Sequence, residues 1–248
     1  RPFAAPCARL APGAPLRWVA AGWRDYRNGL RASLAYGTIV FGVSLGVSLL
    51  AWKLGSYVLV ISMLSGFIFV APLLAIGMYS ISRQLERGEA VSFSRSLRRM
   101  QLALRDALVF ALVLLVIFLV WVRAGVMVHV FFPAGQDLDP VLLLRFLGIG
   151  SAVGSIFALV TFSAAAFSLP MIVDRDIDMI TACITSVNAV LRNKPAMVVW
   201  IAIIVMLTGI GFATAGLGLI VTIPLLGYAT LHGYAETIEA GGWPESPA

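Results

Sequence analysis

Charged residues are scarce in this chain of 248 residues. Asp, Glu, Lys and Arg together make up 12% of it, about half of their usual share in a soluble domain. So few charges cannot cover a water-facing surface, which argues against a soluble globular protein, a disordered chain and a nucleic-acid binder. Hydrophobic residues make up 60%, and the mean hydropathy is +0.95. The composition therefore predicts an integral membrane protein.

Cysteine and histidine are rarer still. Cys7 and Cys183 support neither a disulfide framework nor a metal cluster. His129 and His232 are predicted to lie near opposite membrane faces, so they cannot share one haem, and a haem–copper oxidase core needs more histidines than two. The sequence also has no Ser–His–Asp arrangement, nucleotide motif or phosphate-cradling glycine loop. We expect no cofactor, no metal and no enzymatic activity.

Six apolar stretches approach the length of about 20 residues that a bilayer-spanning helix needs. They cover residues 33–51, 57–81, 107–130, 146–173, 196–212 and 216–234. The last two share one apolar run, 196–231, which small residues interrupt around 211–216. That run exceeds the upper length of a single span, so we interpret it as two helices joined by a tight turn; one long tilted helix is the alternative.

The basic residues indicate the orientation of these spans. All but three of the 18 lie before span one, between spans two and three, or between spans four and five; the exceptions are Lys53, Arg123 and Arg145. Lys and Arg mark the cytoplasmic side, so both termini should be cytoplasmic. The net charge of +6 then reflects topology, and we expect anionic lipid headgroups, not nucleic acid, as its partners.

The spans are arranged as a threefold repeat. Each even span carries one proline, Pro72, Pro170 or Pro224. An amphipathic stretch with an apolar stripe precedes each odd span. The stripes consist of Leu16, Val19, Trp23, Tyr26 and Leu30, then Phe93, Leu97, Met100 and Leu104, then Ile180, Cys183, Ile184, Val187 and Leu191.

We therefore predict an all-α membrane protein whose six transmembrane helices form three hairpins, each preceded by a cytoplasmic interfacial amphipathic helix. The repeat units are residues 16–82, 91–173 and 178–235 within a single membrane domain, 16–235. Residues 1–15 should form a flexible N-terminal segment, which lacks the apolar core of a cleavable signal peptide. Residues 236–248 should form a short C-terminal tail.

Acidic and basic residues alternate after span four, in Asp174, Arg175, Asp176 and Asp178. We interpret them as helix-capping groups and as a cytoplasmic charge network with Arg83, Arg98 and Arg99; a Mg²⁺ or Ca²⁺ site is the alternative. Arg123 is a candidate intramembrane charge. It either extends outward toward lipid phosphate, Asp137 or Asp139, or lies on an ion pathway.

Two pairs of glycines four residues apart are candidate helix contacts. Gly42 and Gly46 lie in span one, and Gly150 and Gly154 lie in span four. Small residues at this spacing allow another helix to approach closely. The spacing does not distinguish packing within this chain from packing against a partner.

Four short runs carry a resemblance to a known family. They are AGWRD at 21–25, SRQLERGE at 82–89, SLPMIVDRD at 168–176 and PLLGYAT at 224–230. In these runs the chain resembles a proteobacterial family of integral membrane proteins of unknown function, some of which are labelled cytochrome c oxidase subunit I-like. The two histidines exclude that catalytic subunit. The resemblance implies a bacterial inner-membrane protein with no established catalytic residues.

Two functions from different classes fit these features. The first is a non-catalytic accessory, scaffold or assembly subunit of a larger inner-membrane complex, such as a respiratory oxidase, which would contact other membrane-protein subunits through its small-residue faces. The alternative is a transporter or channel for a small or lipidic solute, which the repeat and the prolines in the even spans favour.

Overall fold

The computed structural model describes residues 4–54, 74–102, 104–131 and 140–245, and within them the regular structure is helical. Residues 74–86 are helical and are labelled α3 here. The other helices are α1 (Ala14–Asn28), α2 (Leu30–Leu54), α4 (Phe93–Leu102), α5 (Leu104–Phe131), α6 (Pro140–Ala165), α7 (Ser168–Asp174), α8 (Met179–Arg192), α9 (Lys194–Ala213) and α10 (Leu219–Thr237), followed by a 3₁₀ turn, Ala240–Gly242.

Four helical segments are long and apolar enough to cross a membrane. They are Leu30–Leu50, Leu104–Met127, Gly148–Asp174 and Lys194–Ala213, and they coincide with predicted spans one, three, four and five. Most of predicted span two, including Pro72, lies outside the described residues. Predicted span six corresponds to α10, whose second half contains His232 and Glu236 and is less apolar. Four membrane-length helices are therefore established, and a count of six stays a prediction.

The long apolar run at 196–231 forms two helices, as predicted. Helix α9 ends at Ala213 and α10 begins at Leu219. The turn between them contains Gly216 at a φ of 86°, in the left-handed region that glycine adopts without steric cost. The Gly216 N–H donates to the Gly211 carbonyl over 3.1 Å, which terminates α9 and reverses the chain.

Helix α10 is the centre of the packing, because α1 and α2 both cross it closely. A β-carbon at Gly22 of α1 would lie 2.8 Å from the backbone nitrogen of Ala229, and one at Gly37 of α2 would lie 2.0 Å from the Ile220 carbonyl oxygen. At both crossings the helix backbones touch, which only glycine permits.

The continuous span predicted at 146–173 is interrupted at residues 166 and 167. The Phe167 N–H donates to the Ser186 hydroxyl over 3.0 Å, and that hydroxyl donates to the Ser163 carbonyl over 2.7 Å. The Ser186 side chain, from α8, therefore replaces helical hydrogen bonds at the break. Helix α7 follows the break and has Pro170 in its first turn.

Helices α1, α4 and α8, which contain the predicted stripes, direct most of their large apolar side chains outward. Their inward faces carry mainly small or polar residues, such as Ala21, Gly22 and Asp25 in α1, Ser96 in α4, and Ala182, Thr185, Ser186 and Ala189 in α8. Most of the large residues of the predicted stripes are exposed, namely Leu16, Trp23, Leu30, Phe93, Leu97, Leu104, Ile180, Ile184 and Leu191. Tyr26 and Trp18 are the buried aromatic residues of α1.

The N-terminal segment, predicted to be flexible, is packed over its described part, residues 4–13. Backbone N–H groups of Ala5 and Leu10 donate to the Thr185 hydroxyl and the Asn193 side-chain oxygen over 3.0 and 2.8 Å. The Ala8 N–H donates to the Thr237 carbonyl over 2.9 Å. The segment is ordered because α8 and α10 supply acceptors from far along the chain, which its own composition does not reveal.

The C-terminal residues pack on the same side of the molecule. Cys7 forms an isolated antiparallel bridge with Ile238, and the Trp243 side chain is buried. The Asp176 N–H donates to the Pro244 carbonyl over 2.9 Å. The C-terminal segment therefore lies between the N-terminal residues and the loop that follows α7.

Candidate functional site

Polar side chains from α1, α3, α7 and α10 meet at one end of the helices, in two groups. The first, here the acid–histidine group, consists of Asp25, Ser82, Glu86 and His232. Asp25 is buried. Its Oδ2 atom lies 2.8 Å from His232 Nε2 and accepts a hydrogen bond from the Ser82 hydroxyl. His232 Nδ1 lies 3.5 Å from a Glu86 carboxylate oxygen.

The acid–histidine group contains a serine, an aspartate and a histidine, but their order differs from that of a nucleophilic triad. Ser82 donates to the carboxylate, and His232 contacts that same carboxylate. A serine nucleophile is activated when the imidazole accepts its proton, whereas the Ser82 hydroxyl donates to the Asp25 carboxylate. Ser82 of α3 and His232 of α10 thus provide hydrogen-bond partners for the buried carboxylate of Asp25.

The second group is centred on Asp174, at the end of α7. One carboxylate oxygen pairs with Arg83 over 2.5 Å. The other accepts from Arg175 Nε over 3.0 Å and from the Tyr234 hydroxyl over 2.8 Å. Arg175 also donates to the Trp243 carbonyl over 3.1 Å. Asp174 therefore connects α3, α10 and the C-terminal segment.

The structure distributes the residues of the predicted charge network among different roles. Arg83, Asp174 and Arg175 are brought together as ion pairs. Asp178 caps α8 instead, accepting from the Thr181 N–H over 2.9 Å and from its hydroxyl over 2.7 Å. The side-chain and backbone hydrogen bonds from Thr181 lower the pKa of Asp178 below its ordinary value. Asp176 is exposed.

Arg98 and Arg99 lie in the wall of a cavity of about 280 Å³ beside the Asp174 group, here called the arginine cavity. Its basic residues are Arg83, Arg87, Arg95, Arg98 and Arg99, and its acidic residues are Glu89, Asp174 and Glu245. Tyr79, Ser80 and Gln84 add polar groups, and Leu102, Pro170, Val173 and Leu231 add apolar surface. Five arginines face three carboxylates in this lining, so the cavity wall carries an excess of positive charge. Burial, followed by repulsion from Arg87, lowers the pKa of the Arg99 guanidinium.

The predicted helix-contact glycines have different surroundings. A β-carbon at Gly42, Gly46 or Gly150 would have no described atom within 4 Å. One at Gly154 would lie 3.7 Å from the Trp121 indole nitrogen, where α5 packs on α6. Close contacts between the backbones of two helices occur instead at Gly22 and Gly37, which the prediction did not include.

Other candidate residues remain apart from the two groups. Arg123 is exposed on α5, and Asp137 and Asp139, its suggested partners, lie outside the described residues. The side chain of His129 is also outside the described part. Among the described residues, no three His, Cys, Asp or Glu side chains cluster as a metal site would require.

The acid–histidine group was not found from the sequence, although one signal pointed to it. Asp25 is the only acidic residue before Glu86, and it lies within a helix whose other charges are arginines. An isolated acid among basic residues is a candidate for a buried, paired carboxylate. Its partners could not be identified, because His232 follows 207 residues later.

Residues 59–174 match the model of a family described as "Predicted integral membrane protein (DUF2189)". The matched segment is just under half of the chain and includes Arg83, Arg98, Arg99 and Asp174. It confirms the resemblance to a family of uncharacterised integral membrane proteins. No curated protein and no solved structure matches the chain significantly.

Proposed function

We propose that this integral membrane protein is a non-catalytic accessory, scaffold or assembly subunit of a larger complex in the bacterial inner membrane, with six spans in three hairpin repeats and cytoplasmic termini. The observation that carries the proposal is the glycine face of α2. Gly42 and Gly46 are exposed, and β-carbons there would meet no described atom. A face of this kind allows a helix of another subunit to approach closely.

The packing of the chain ends supports the proposed orientation. Residues 4–10 pack against the start of the C-terminal segment, through Cys7 and Ile238, and that segment reaches the loops that carry Arg87 and Arg175. Arg87 lies 3.6 Å from a Glu245 carboxylate oxygen, and the backbones of Arg175 and Glu245 form an isolated antiparallel β-bridge. Because arginine-rich loops stay on the cytoplasmic side, this packing supports the proposal of cytoplasmic termini.

Cysteine-accessibility labelling tests this topology. In a background without reactive native thiols, a cysteine at Glu89 should react with an impermeant maleimide only from the cytoplasmic side. A cysteine at Gln136, between predicted spans three and four, should react only from the opposite side. Cytoplasmic labelling of Gln136→Cys would show that the proposed orientation is wrong.

Co-purification tests the scaffold role. Gly46→Leu should remove a partner subunit that copurifies with the native protein in mild detergent, because leucine fills the groove that a partner helix would enter. Gly209→Leu on α9 is the control, since its β-carbon also meets no described atom. Identical copurifying proteins from both variants and the parent, with unchanged thermal unfolding, would contradict the proposal.

One observation favours the alternative, a transporter or channel for a small or lipidic solute. Pro170, which follows the break in span four, lies in the wall of the arginine cavity. Solute flux through proteoliposomes that contain only this protein, reduced by Pro170→Ala, would favour transport. Absence of flux together with loss of a partner in Gly46→Leu would favour the scaffold.

A further inference from the structure

We propose that the hairpin of α9 and α10 is re-entrant. Its tip, residues 212–218, ends within the hydrocarbon of the bilayer, and lipid acyl chains cover it there. The inference does not depend on the accessory role. It replaces the last pair of the six proposed spans by a hairpin that enters and leaves the membrane on one side, so the two termini still share a side.

The level of the hairpin tip beside α2 is the first observation. A β-carbon at Gly216 would lie 3.2 Å from the Phe41 ring, so the tip meets α2 at that residue. Phe41 is near the middle of the membrane-length segment Leu30–Leu50. Residues 42–54 of α2 continue past the tip by roughly 20 Å, at the rise of about 1.5 Å per residue of an α-helix. A hairpin that crossed the bilayer would end near the far end of α2.

The opposite ends of α9 and α10 run beside α1. The rings of Trp200 in α9 and Trp18 in α1 lie 5.5 Å apart, and a β-carbon at Gly233 in α10 would lie 2.9 Å from the Trp18 ring. From Trp200 to Ala213, α9 rises only about 20 Å, less than the roughly 30 Å of a hydrocarbon core. Three exposed arginines indicate that α1 lies at the level of water and headgroups, namely Arg17, Arg24 and Arg27.

The surface of the tip is that of a lipid-facing segment. No Asp, Glu, Lys or Arg lies between Lys194 and Glu236. Phe212 and Leu217 are 65% and 58% exposed, although turns that face water are usually rich in polar residues. Exposed apolar side chains of this size are unfavourable in water and favourable in hydrocarbon.

The backbone donors of the turn are paired within the hairpin. Each N–H group from residue 215 to residue 222 donates to an acceptor of the hairpin itself. Thr214 is the one polar side chain of the tip. Its hydroxyl accepts from the Gly218 N–H over 2.7 Å and donates to the Gly211 carbonyl over 2.8 Å. Lipid supplies no hydrogen-bond partners, so backbone at membrane depth needs such internal pairing.

Electron paramagnetic resonance on the full chain in liposomes tests the depth of the tip. In a background without native thiols, nitroxide labels are attached at Leu217→Cys in the tip, at Lys53→Cys near the end of α2, and at Arg24→Cys on α1. Collisions with oxygen, which concentrates in hydrocarbon, are compared with collisions with a water-soluble nickel chelate. We expect the nickel collisions to be lost and the oxygen collisions to be frequent at residue 217, whereas residues 53 and 24 collide with nickel.

Two results would overturn the proposal. Nickel collisions at Leu217→Cys as frequent as those at Lys53→Cys would show that the tip reaches water. Few collisions with either reagent would show that protein covers the tip instead of lipid. Neither result changes which proteins copurify with the native chain, so the accessory role is tested separately.

A charge placed at the tip gives an independent test. Leu217→Asp should raise the ratio of unfolded to folded protein in nanodiscs roughly tenfold or more, because a carboxylate is unfavourable in hydrocarbon. Leu144→Asp is the matched control, since Leu144 is exposed and precedes the apolar segment Gly148–Asp174. Thermal unfolding compares the two variants. Equally small effects of both would mean that the tip lies in water, against the proposal.

Discussion

At the residue scale, the buried carboxylate of Asp25 joins α1 to two other helices. It accepts from Ser82 of α3 and lies 2.8 Å from the imidazole of His232 on α10. A carboxylate in this setting is stabilising only while its partners remain, because each buried polar group requires a hydrogen bond.

Asp25→Ala should lower the free energy of unfolding by about 2 kcal/mol, since Ser82 and His232 lose their shared acceptor. Thermal unfolding of the purified protein in detergent measures the effect. Asp106→Ala is the matched control, because that aspartate lies exposed in the first turn of α5. Equal melting temperatures of the two variants would show that Asp25 has no stabilising role.

Asp178→Ala should destabilise the protein by about 1 kcal/mol at neutral pH, because α8 loses its N-terminal cap. Hydrogen bonds from Thr181 lower the pKa of Asp178. The stabilisation is therefore complete above the ordinary aspartate pKa of about 4 and is lost as the pH falls through the lowered pKa. The difference in melting temperature between parent and variant should vanish in acid. Asp176→Ala, at an exposed neighbour without a capping bond, should show little effect at either pH.

At the element scale, the arrangement of α1 and α2 is set by how closely each approaches α10. Gly22 and Gly37 allow backbone contact at the two crossings. In a membrane, apolar side chains gain little by leaving lipid, so close packing of small residues contributes much of the association between helices. These crossings, not the Gly42/Gly46 spacing, hold α2 within the described chain.

Gly37→Ala should destabilise the protein by about 3 kcal/mol, because the added carbon would lie 2.0 Å from the Ile220 carbonyl oxygen and would separate α2 from α10. Gly42→Ala in the same helix should be neutral or slightly stabilising, since alanine favours helix more than glycine does. Fluorescence-detected size exclusion and thermal unfolding compare the two. A well-folded Gly37→Ala with unchanged melting would show that α2 does not cross α10 at this residue.

At the scale of the whole molecule, the two chain ends hold one side of the described structure together. Asn193 is buried. Its side chain accepts from the Leu10 N–H over 2.8 Å and donates to the Ala8 carbonyl over 3.0 Å. The Trp18 indole donates to Glu236 over 2.8 Å, at the end of α10. Segments from the beginning, middle and end of the chain thus form one hydrogen-bonded body.

Asn193→Ala should release the N-terminal segment and accelerate tryptic cleavage after Arg9 roughly tenfold or more, because the lost hydrogen bonds lower the free energy of local opening. Limited proteolysis followed by mass spectrometry measures the rate. Asn188→Ala on the neighbouring helix is the control; its amide makes only a weak contact of 3.8 Å with the Cys7 sulfur. Equal cleavage rates in both variants would mean that Asn193 does not anchor the segment.

The sequence by itself determined the class of protein, its helical character, four membrane-length helices and the turn within 196–231. Composition and hydropathy encode these features directly, because a lipid environment requires long apolar helices whose backbone groups are paired internally. The pairing of Arg83 with Asp174 was among the contacts anticipated from their charges, whereas the interfacial position of the apolar stripes on α1, α4 and α8 stays a prediction.

Only the tertiary structure decided which glycines touch α10, which acid is buried and where the arginines surround a cavity. Asp25 and His232 lie 207 residues apart, so their contact depends on how α1 and α10 are rotated and crossed. Hydropathy does not specify that rotation, because a membrane helix carries apolar side chains on every face. The packing of residues 4–13 has the same origin: its hydrogen-bond acceptors, Thr185, Asn193 and Thr237, come from helices that the local sequence does not indicate.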